Sequence, residues 1–221
     1  ISVLAGGSVG LKTGTAKGLT EAQIKGQLQP IVVDTHSIGN PWLNYSVYLN
    51  NILIPGILQL MIFLVTVFSI GSEIKFATSH EWLRVGNNSV LVSLAGKLLP
   101  HTLIFTLVGL LACSLLYGFN AFPLQSGWMP MLANIFLLVL ASQAVGVFMI
   151  GVLPTLRLGL SFASLFGMIT FSIVGLSFPV SEMHPTLQAL ANLFPLRHYF
   201  LIYVDQALNG RGLIYCWGHY V

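Results

Sequence analysis

The stretch GGSVGLKTG, from Gly6 to Gly14, is the first in this chain that looks able to do chemistry. A phosphate-binding loop needs a glycine, four residues, a second glycine, then Lys and Ser or Thr, so that backbone N–H groups cradle the anion. Placing Lys12 and Thr13 at the end of that pattern puts Gly6 at the first glycine but Leu11 at the second. A leucine there obstructs the cradle, and no acidic strand end follows to hold magnesium. His36, His80, His101, His184, His198 and His219 are scattered, with no pair at metal-ligand spacing. Cys113 lies in an apolar run and Cys216 near the C-terminus, which makes neither a disulfide framework nor a zinc pattern. No serine, histidine and acid converge on a hydrolase motif. What remains is charge. GSEIKFATSHEWLRVG, from residue 71, holds Glu73, Lys75, Glu81 and Arg84, whereas residues 35–72 hold no Asp, Glu, Lys or Arg, and neither do residues 98–156.

Composition explains why charges gather. Only 7% of residues are charged and 55% are hydrophobic, with mean hydropathy +0.84. A water-soluble domain carries about a quarter charged residues, so this chain lacks the groups to cover a soluble surface and its solvent is lipid. No basic run interleaved with aromatics points to nucleic acid. The expected fold is an all-α polytopic membrane protein. Four spanning helices are joined by a re-entrant helical hairpin, with the tail of an extracytoplasmic domain at the N-terminus.

That tail is residues 1–43, Gly-rich and polar, with a short helix from Thr20 to Gln29, a strand at Ile31–Asp34, and a turn at Asn40-Pro41. A transmembrane domain follows over residues 44–221. Its spans are expected at about 51–70, with Pro55 in the first turn, 101–118, 129–152 and 158–178, each near the roughly 20 residues a bilayer demands. The second span has an alternative start near Val90, with a kink at Pro100. Lys75, Arg84 and Lys97 fall in the loop after the first span and Arg157 in the loop after the third, which marks both loops as cytoplasmic. After the fourth span the chain stays apolar but is broken by Pro179, Pro185 and Pro195. Two helices follow, at Pro185–Phe194 and Leu196–Asn209, the second closed by Gly210. Both are too short to cross, so they are expected to dip into the outer leaflet or lie on it, with Glu182, Arg197 and Asp205 near the interface.

Within the charged loop, Thr78-Ser79-His80-Glu81 fits a capping box, with Thr78 as N-cap and Glu81 three residues on. Gly86 can end the helix, which predicts a rigid two-turn helix over Ser79–Val85. Inside the spans, Ser142 and Gln143 are the most polar neighbours. They are candidates for a substrate path, though a polar residue at this depth commonly bonds another helix, and Ser142 with Gly146 forms a small-x-x-x-small pair that favours close packing.

GSEIKFATSHEWLRVGNNSVLVSLAGKLLP resembles the cytoplasmic loop of ABC-2 type transporter permeases, in Glu73, Ala77-Thr78, the helix from Ser79, and Gly96-Lys97. NPWLNYSVYLNNILIPG resembles the family's approach to its second span. GLSFPVSEMHPTLQALANLFPLRHYFLIYVDQALNG resembles the segment after its fifth span, in Phe178-Pro179, Met183, Pro185, Pro195-Leu196 and Gly210. Many relatives carry Gly where this chain has Ala77, a residue expected to be compatible with the turn. The resemblance covers about residues 38–212 and is strongest to the subgroup with a large extracytoplasmic domain. It implies spans two to five of a six-span permease, with the sixth beginning near Leu213. It further implies export powered by a separate ATP-binding subunit that holds the ATP and magnesium, so that this chain is not itself an enzyme and binds no cofactor. Glu73, Lys75, Thr78, Glu81 and Arg84 would form the coupling loop, and Pro179, Glu182, Pro185, Pro195, Arg197 and Gly210 the outer gate. A second permease copy or paralogue and a periplasmic adaptor are the other implied partners, and a bacterial cytoplasmic membrane the location. A non-transport membrane protein, either scaffold or lipid-handling enzyme, is the competing class. A neighbouring reading frame for a nucleotide-binding subunit would separate the two.

Overall fold

A computed structural model describes residues 45–120, 122, 124–125, 127–174 and 180–208. These lie in the second of two units, Ile38–Val221. The expectations for residues 1–43, Pro179, Gly210 and the segment from Leu213 lie outside the described residues. Among those described, all regular structure is helical. α1 is Tyr45–Lys75, α2 Ser79–Val85 and α3 Val90–Cys113, which continues as a π-helical turn, Ser114–Phe119. α4 is Trp128–Val152 and α5 Leu156–Ile173. A 3-10 turn at Val180–Glu182 precedes α6, Pro185–Ala191, and α7, Pro195–Ile202, which continues as a second π-helical turn, Tyr203–Leu208.

Among the described residues, four helices are long and apolar enough to cross a membrane: Leu49–Lys75, Val90–Phe119, Trp128–Val152 and Leu156–Ile173. The first two exceed the 51–70 and 101–118 expected. α1 runs on through Gly71-Ser72-Glu73 because nothing there breaks a helix, so Glu73 and Lys75 belong to its last turn rather than to a loop. It also begins at Tyr45, which puts Pro55 in the interior rather than in the first turn. α3 starts at the earlier alternative, Val90, carries Pro100 inside it, and places Lys97 on a helix. Proline removes one backbone bond in each case, a loss that membrane helices tolerate because neighbouring groups re-satisfy the backbone.

α1 is the central post. α5 lies along it, and so does α4. The α1–α5 contact is close because α5 presents a stripe of small residues, Gly159, Ala163 and Gly167, all buried. A methyl group at Gly167 would sit 2.4 Å from Leu60 Cδ1, and one at Gly159 2.9 Å from Val67 Cγ1. α4 makes the same kind of approach through Gly146, where a Cβ would lie 2.9 Å from Thr66 Cβ. The Ser142–Gly146 pair therefore does form a packing surface, and both residues are buried. α3 is more peripheral: Leu103, Leu107 and Leu111, one per turn, remain exposed.

One face of α1 carries a polar residue about every two turns: Asn51, Gln59, Thr66 and Glu73. The first three are buried. The Tyr117 hydroxyl donates to Asn51 Oδ1 at 2.6 Å, and Gln59 Nε2 donates to Thr170 Oγ1 at 3.4 Å. Apolar contacts fill the space between these ties. Ile52, Cys113, Met131, Ile135, Leu196 and Tyr199 form one core in the half of the bundle away from the charged loop. Phe63, Val67, Met149, Ile150 and Ala163 form another toward the loop.

The close α1–α4 approach makes a direct prediction. Gly146→Val drives two methyl groups into the β-branched Thr66 and is expected to destabilise the protein by about 2 kcal/mol. Gly96 has open space around its Cα, so Gly96→Ala is expected to stabilise its helix by up to about 1 kcal/mol. Thermal unfolding in detergent measures both, and equal effects would contradict the packing described.

Candidate functional site

The charged segment folds into a joint between α1 and α3. α1 ends at Lys75, and the chain turns through Ala77, whose φ of +57° lies in the left-handed region. Alanine pays a steric penalty there that glycine avoids. The expectation that Ala77 suits the turn is thus corrected, and the glycine of relatives has a physical reason. α2 runs over Ser79–Val85 as predicted, with Gly86 at its C-terminal end. Asn87 and Asn88, both left-handed, then lead into α3, as asparagine readily does.

The capping box does not form. Thr78 has ψ of 1° rather than an extended value, and its side chain makes no cap hydrogen bond. Its hydroxyl instead donates to Glu73 Oε2, while Lys97 Nζ forms a salt bridge with Glu73 Oε1. Glu73 thus ties the end of α1 to the turn and to α3. The same Lys97 ammonium lies 5.4 Å from the centroid of the Trp82 ring on α2, a distance at which the ring's negative face attracts it. Trp82 Nε1 donates to the Ser93 carbonyl at 3.2 Å, and Ser93 Oγ donates back to the Trp82 carbonyl at 3.4 Å. Only glycine fits at position 86, because a Cβ there would overlap Ser93 Oγ at 1.9 Å. Beside this contact lies a groove of about 420 Å³, lined by Trp82, Val85, Gly86, Val92, Ser93 and Lys97 among others.

α2 is therefore held on one side and bare on the other. His80, Glu81, Arg84 and Val85 are exposed, Val85 at 90%. Lys75 is exposed too, its ammonium 5.3 Å from the Phe76 ring centroid. Of the five residues expected here, Lys75, Glu81 and Arg84 face outward, whereas Glu73 and Thr78 face the joint. Sequence reasoning did not assign Trp82 and Ser93 to the site. A tryptophan on a seven-residue helix beside charged neighbours is the one signal that could have marked them.

At the other end of the bundle, α6 and α7 form a hairpin broken at Asn192–Phe194. Pro185 and Pro195 each open a helix, where proline costs no hydrogen bond. α6 ends at Ala191, short of the expected Phe194, because the turn begins there. It is largely exposed, with Glu182 exposed just before it. α7 is inserted: Pro195, Leu196, Tyr199 and Ile202 are buried, and the Phe194 ring packs on Phe166 with centroids 4.4 Å apart. Arg197 Nε donates to Asn192 Oδ1 at 3.0 Å, which braces the turn. Asn134 Nδ2 of α4 donates to the Tyr199 carbonyl at 3.1 Å, just before α7 widens into its π turn. The Tyr203 hydroxyl and both polar atoms of the Gln206 amide are buried without a hydrogen-bond partner, each at a cost of about 1–3 kcal/mol.

Ser142 and Gln143 lie between these two regions. The Ser142 hydroxyl donates to the Leu138 carbonyl at 2.6 Å. Gln143 accepts from Thr102 Oγ1 at 2.8 Å and donates to the Leu98 carbonyl at 3.3 Å. Both are buried, and Gln143 joins α4 to α3.

Among the described residues, four membrane-length helices, a short helix braced on one side only, and a proline-broken hairpin inserted at the opposite end define a multi-pass membrane protein. The chain belongs to the family described as ABC-2 family transporter protein, which it matches over residues 8–221. It is accordingly a membrane component of an ABC transporter. No curated protein and no solved structure matches it.

The joint predicts an ordered set of stability effects, read by thermal unfolding in detergent. Thr78→Val removes the hydroxyl held by Glu73 and is expected to destabilise by about 1 kcal/mol. Ala77→Gly relieves the left-handed strain and is expected to stabilise by about 1 kcal/mol. Glu81→Gln, which would weaken a capping box, is expected to change stability by less than about 0.5 kcal/mol.

Proposed function

We propose that this chain is the permease subunit of an ATP-binding cassette exporter, moving substrate outward on ATP hydrolysed by a separate nucleotide-binding subunit. The observation that carries this reading is the one-sided bracing of α2. Glu73–Lys97 and Trp82–Ser93 tie it to α1 and α3, while His80, Glu81, Arg84 and Val85 are left bare. A partner pressing on that face would move two spans with it, because the ties leave little slack. ATP and magnesium belong to the partner. Family membership supports the partnership, since permeases of this family generally work with an ATP-binding subunit.

The orientation follows from the basic residues. Gly71 of α1 approaches Leu156 of α5, so Lys75, Arg84, Lys97 and Arg157 share one end of the bundle, and the bias of such residues toward the cytoplasm makes that end the inner one. The hairpin then lies toward the outside, as a gate formed by Glu182, Pro185, Pro195 and Arg197. The working unit in this reading is a dimer with a second copy or a paralogue, in a bacterial cytoplasmic membrane. It belongs to the subgroup with a large extracytoplasmic domain, with a periplasmic adaptor as a further partner.

Two experiments test these assignments. Combined reversal, Glu81→Lys with Arg84→Glu, is expected to lower substrate-stimulated ATP hydrolysis by the reconstituted complex at least about tenfold, while membrane insertion is retained. Full stimulation in that variant would sink the docking assignment. For topology, Asn88→Cys and Asn120→Cys are compared in a background lacking Cys113 and Cys216. In intact cells a membrane-impermeant thiol reagent should modify only the cysteine at position 120, and the reverse pattern would invert the orientation.

A further inference from the structure

α5 lies antiparallel along α1, and the close approaches fix the register: Gly167 faces Leu60, Gly159 faces Val67, and Gly71 faces Leu156. Beside this seam runs a groove of about 480 Å³, lined by Leu64, Val65, Phe68, Leu160, Ser161 and Ser164. Its walls are mainly apolar. The Ser164 hydroxyl turns back to its own helix and donates to the Leu160 carbonyl at 3.0 Å. Phe68 is exposed, so the groove is open from the side.

Two cations stand at the loop end of this groove. Lys75 is three turns beyond Leu64 on α1, and Arg157 is two turns before Ser164 on α5, so each shares a helix face with the groove lining. Leu156 is level with Gly71, which puts Arg157 level with Ile70, just past Phe68. Lys75 lies further out by a rise of about 8 Å, close to the depth of one headgroup layer. Both cations are exposed. Among the described residues neither pairs with a carboxylate, and the salt bridge there is Lys97 with Glu73.

An apolar groove in a membrane does not by itself name its occupant. The groove between α1 and α3, lined by Ile57, Met61 and Val108 among others, has no cation in its lining. The groove beside Trp82 has one, but Glu73 already neutralises Lys97. Of these three, the α1–α5 groove alone joins an apolar trough to positive charge that is not neutralised. A phospholipid presents the complementary order along the membrane normal, an anionic headgroup followed by hydrocarbon.

We propose that this groove binds one anionic glycerophospholipid, with its phosphate between Arg157 and Lys75 and an acyl chain laid along Leu64, Phe68 and Leu160. Arginine suits the inner of the two positions. Its apolar stem can lie along the groove while its head reaches outward, and its planar fork takes two phosphate oxygens. Ser161, one turn deeper than Arg157, offers a hydroxyl at the depth of the ester carbonyls. The lipid ties the last turn of α1 to the first turn of α5, beside the joint that braces α2. The fit does not depend on the transport reading. Assignment to the inner leaflet does depend on the orientation proposed above, and thiol labelling at positions 88 and 120 tests that separately.

Native mass spectrometry of the full-length protein, released from nanodiscs of equal phosphatidylglycerol and phosphatidylcholine, tests the site. The unaltered protein is expected to retain one phosphatidylglycerol in preference to phosphatidylcholine. Arg157→Gln and Lys75→Gln are each expected to lower that retention about fivefold, and together about twentyfold. Ser161→Phe fills the groove, keeps both cations, and is expected to lower it at least about fivefold. Val108→Phe fills the α1–α3 groove instead and is expected to leave it unchanged. The charge variants alter no buried side chain, so they decide the matter if Ser161→Phe fails to fold. No preference in the unaltered protein, unchanged retention in the double charge variant, or an equal loss in Val108→Phe would each overturn the site. A dimer that retains neither lipid and that Ser161→Phe dissociates would show a second copy in the groove, and would overturn it as well.

Discussion

The structure depends on one constraint on α1. This helix has no Asp, Glu, Lys or Arg before Glu73, yet it carries a polar side chain every two turns along one face. In hydrocarbon such groups can be satisfied only by other protein. Three of the four therefore dictate what lies beside them: Tyr117 at Asn51, Thr170 at Gln59, and Lys97 with Thr78 at Glu73, whereas the Thr66 hydroxyl is buried without a partner where Gly146 packs close. The other helices are set in depth and rotation by the need to reach this face. Apolar packing fills the intervals but is tolerant of sliding, since one leucine in lipid resembles another.

The constraint also links the two regions of interest. Asn51 and Glu73 are 22 residues apart on one continuous helix, a rise of about 33 Å, which is the thickness of a bilayer's apolar core. One end of α1 is tied to the joint that braces α2, and the other packs through Ile52 in one core with Leu196 of the inserted arm. A displacement at the joint has a rigid path to the hairpin. The interior carries no ionised group along that path between Ser72 and Asn51, so what is transmitted is position rather than charge.

Much of this was legible beforehand because its causes are local. The break at Pro195 follows from a ring that cannot donate, and the limits of α2 follow from flanking turn formers. Other features misled for an equally physical reason. Thr78 and Glu81 have the spacing of a capping box, but Glu73 competes for the threonine hydroxyl from the helix before it. Pro55 and Pro100 look like helix boundaries by rules learned in water, yet in these apolar helices they are interior. Ala77 shows nothing in its side chain of the left-handed backbone it must adopt.

By itself the sequence determined the solvent, the number of membrane-length helices, the short helix between the first two, and the proline-broken hairpin. These depend on composition and on residues within a turn or two of one another. Only the tertiary structure decided that Glu73 pairs with Lys97, that Gln143 joins Thr102 and Leu98, that Trp82 and Ser93 lock α2, and that Tyr117 reaches Asn51. Such pairings need two helices at a given depth and rotation. That relation is set by how whole helix faces fit together, and no local pattern of residues encodes it.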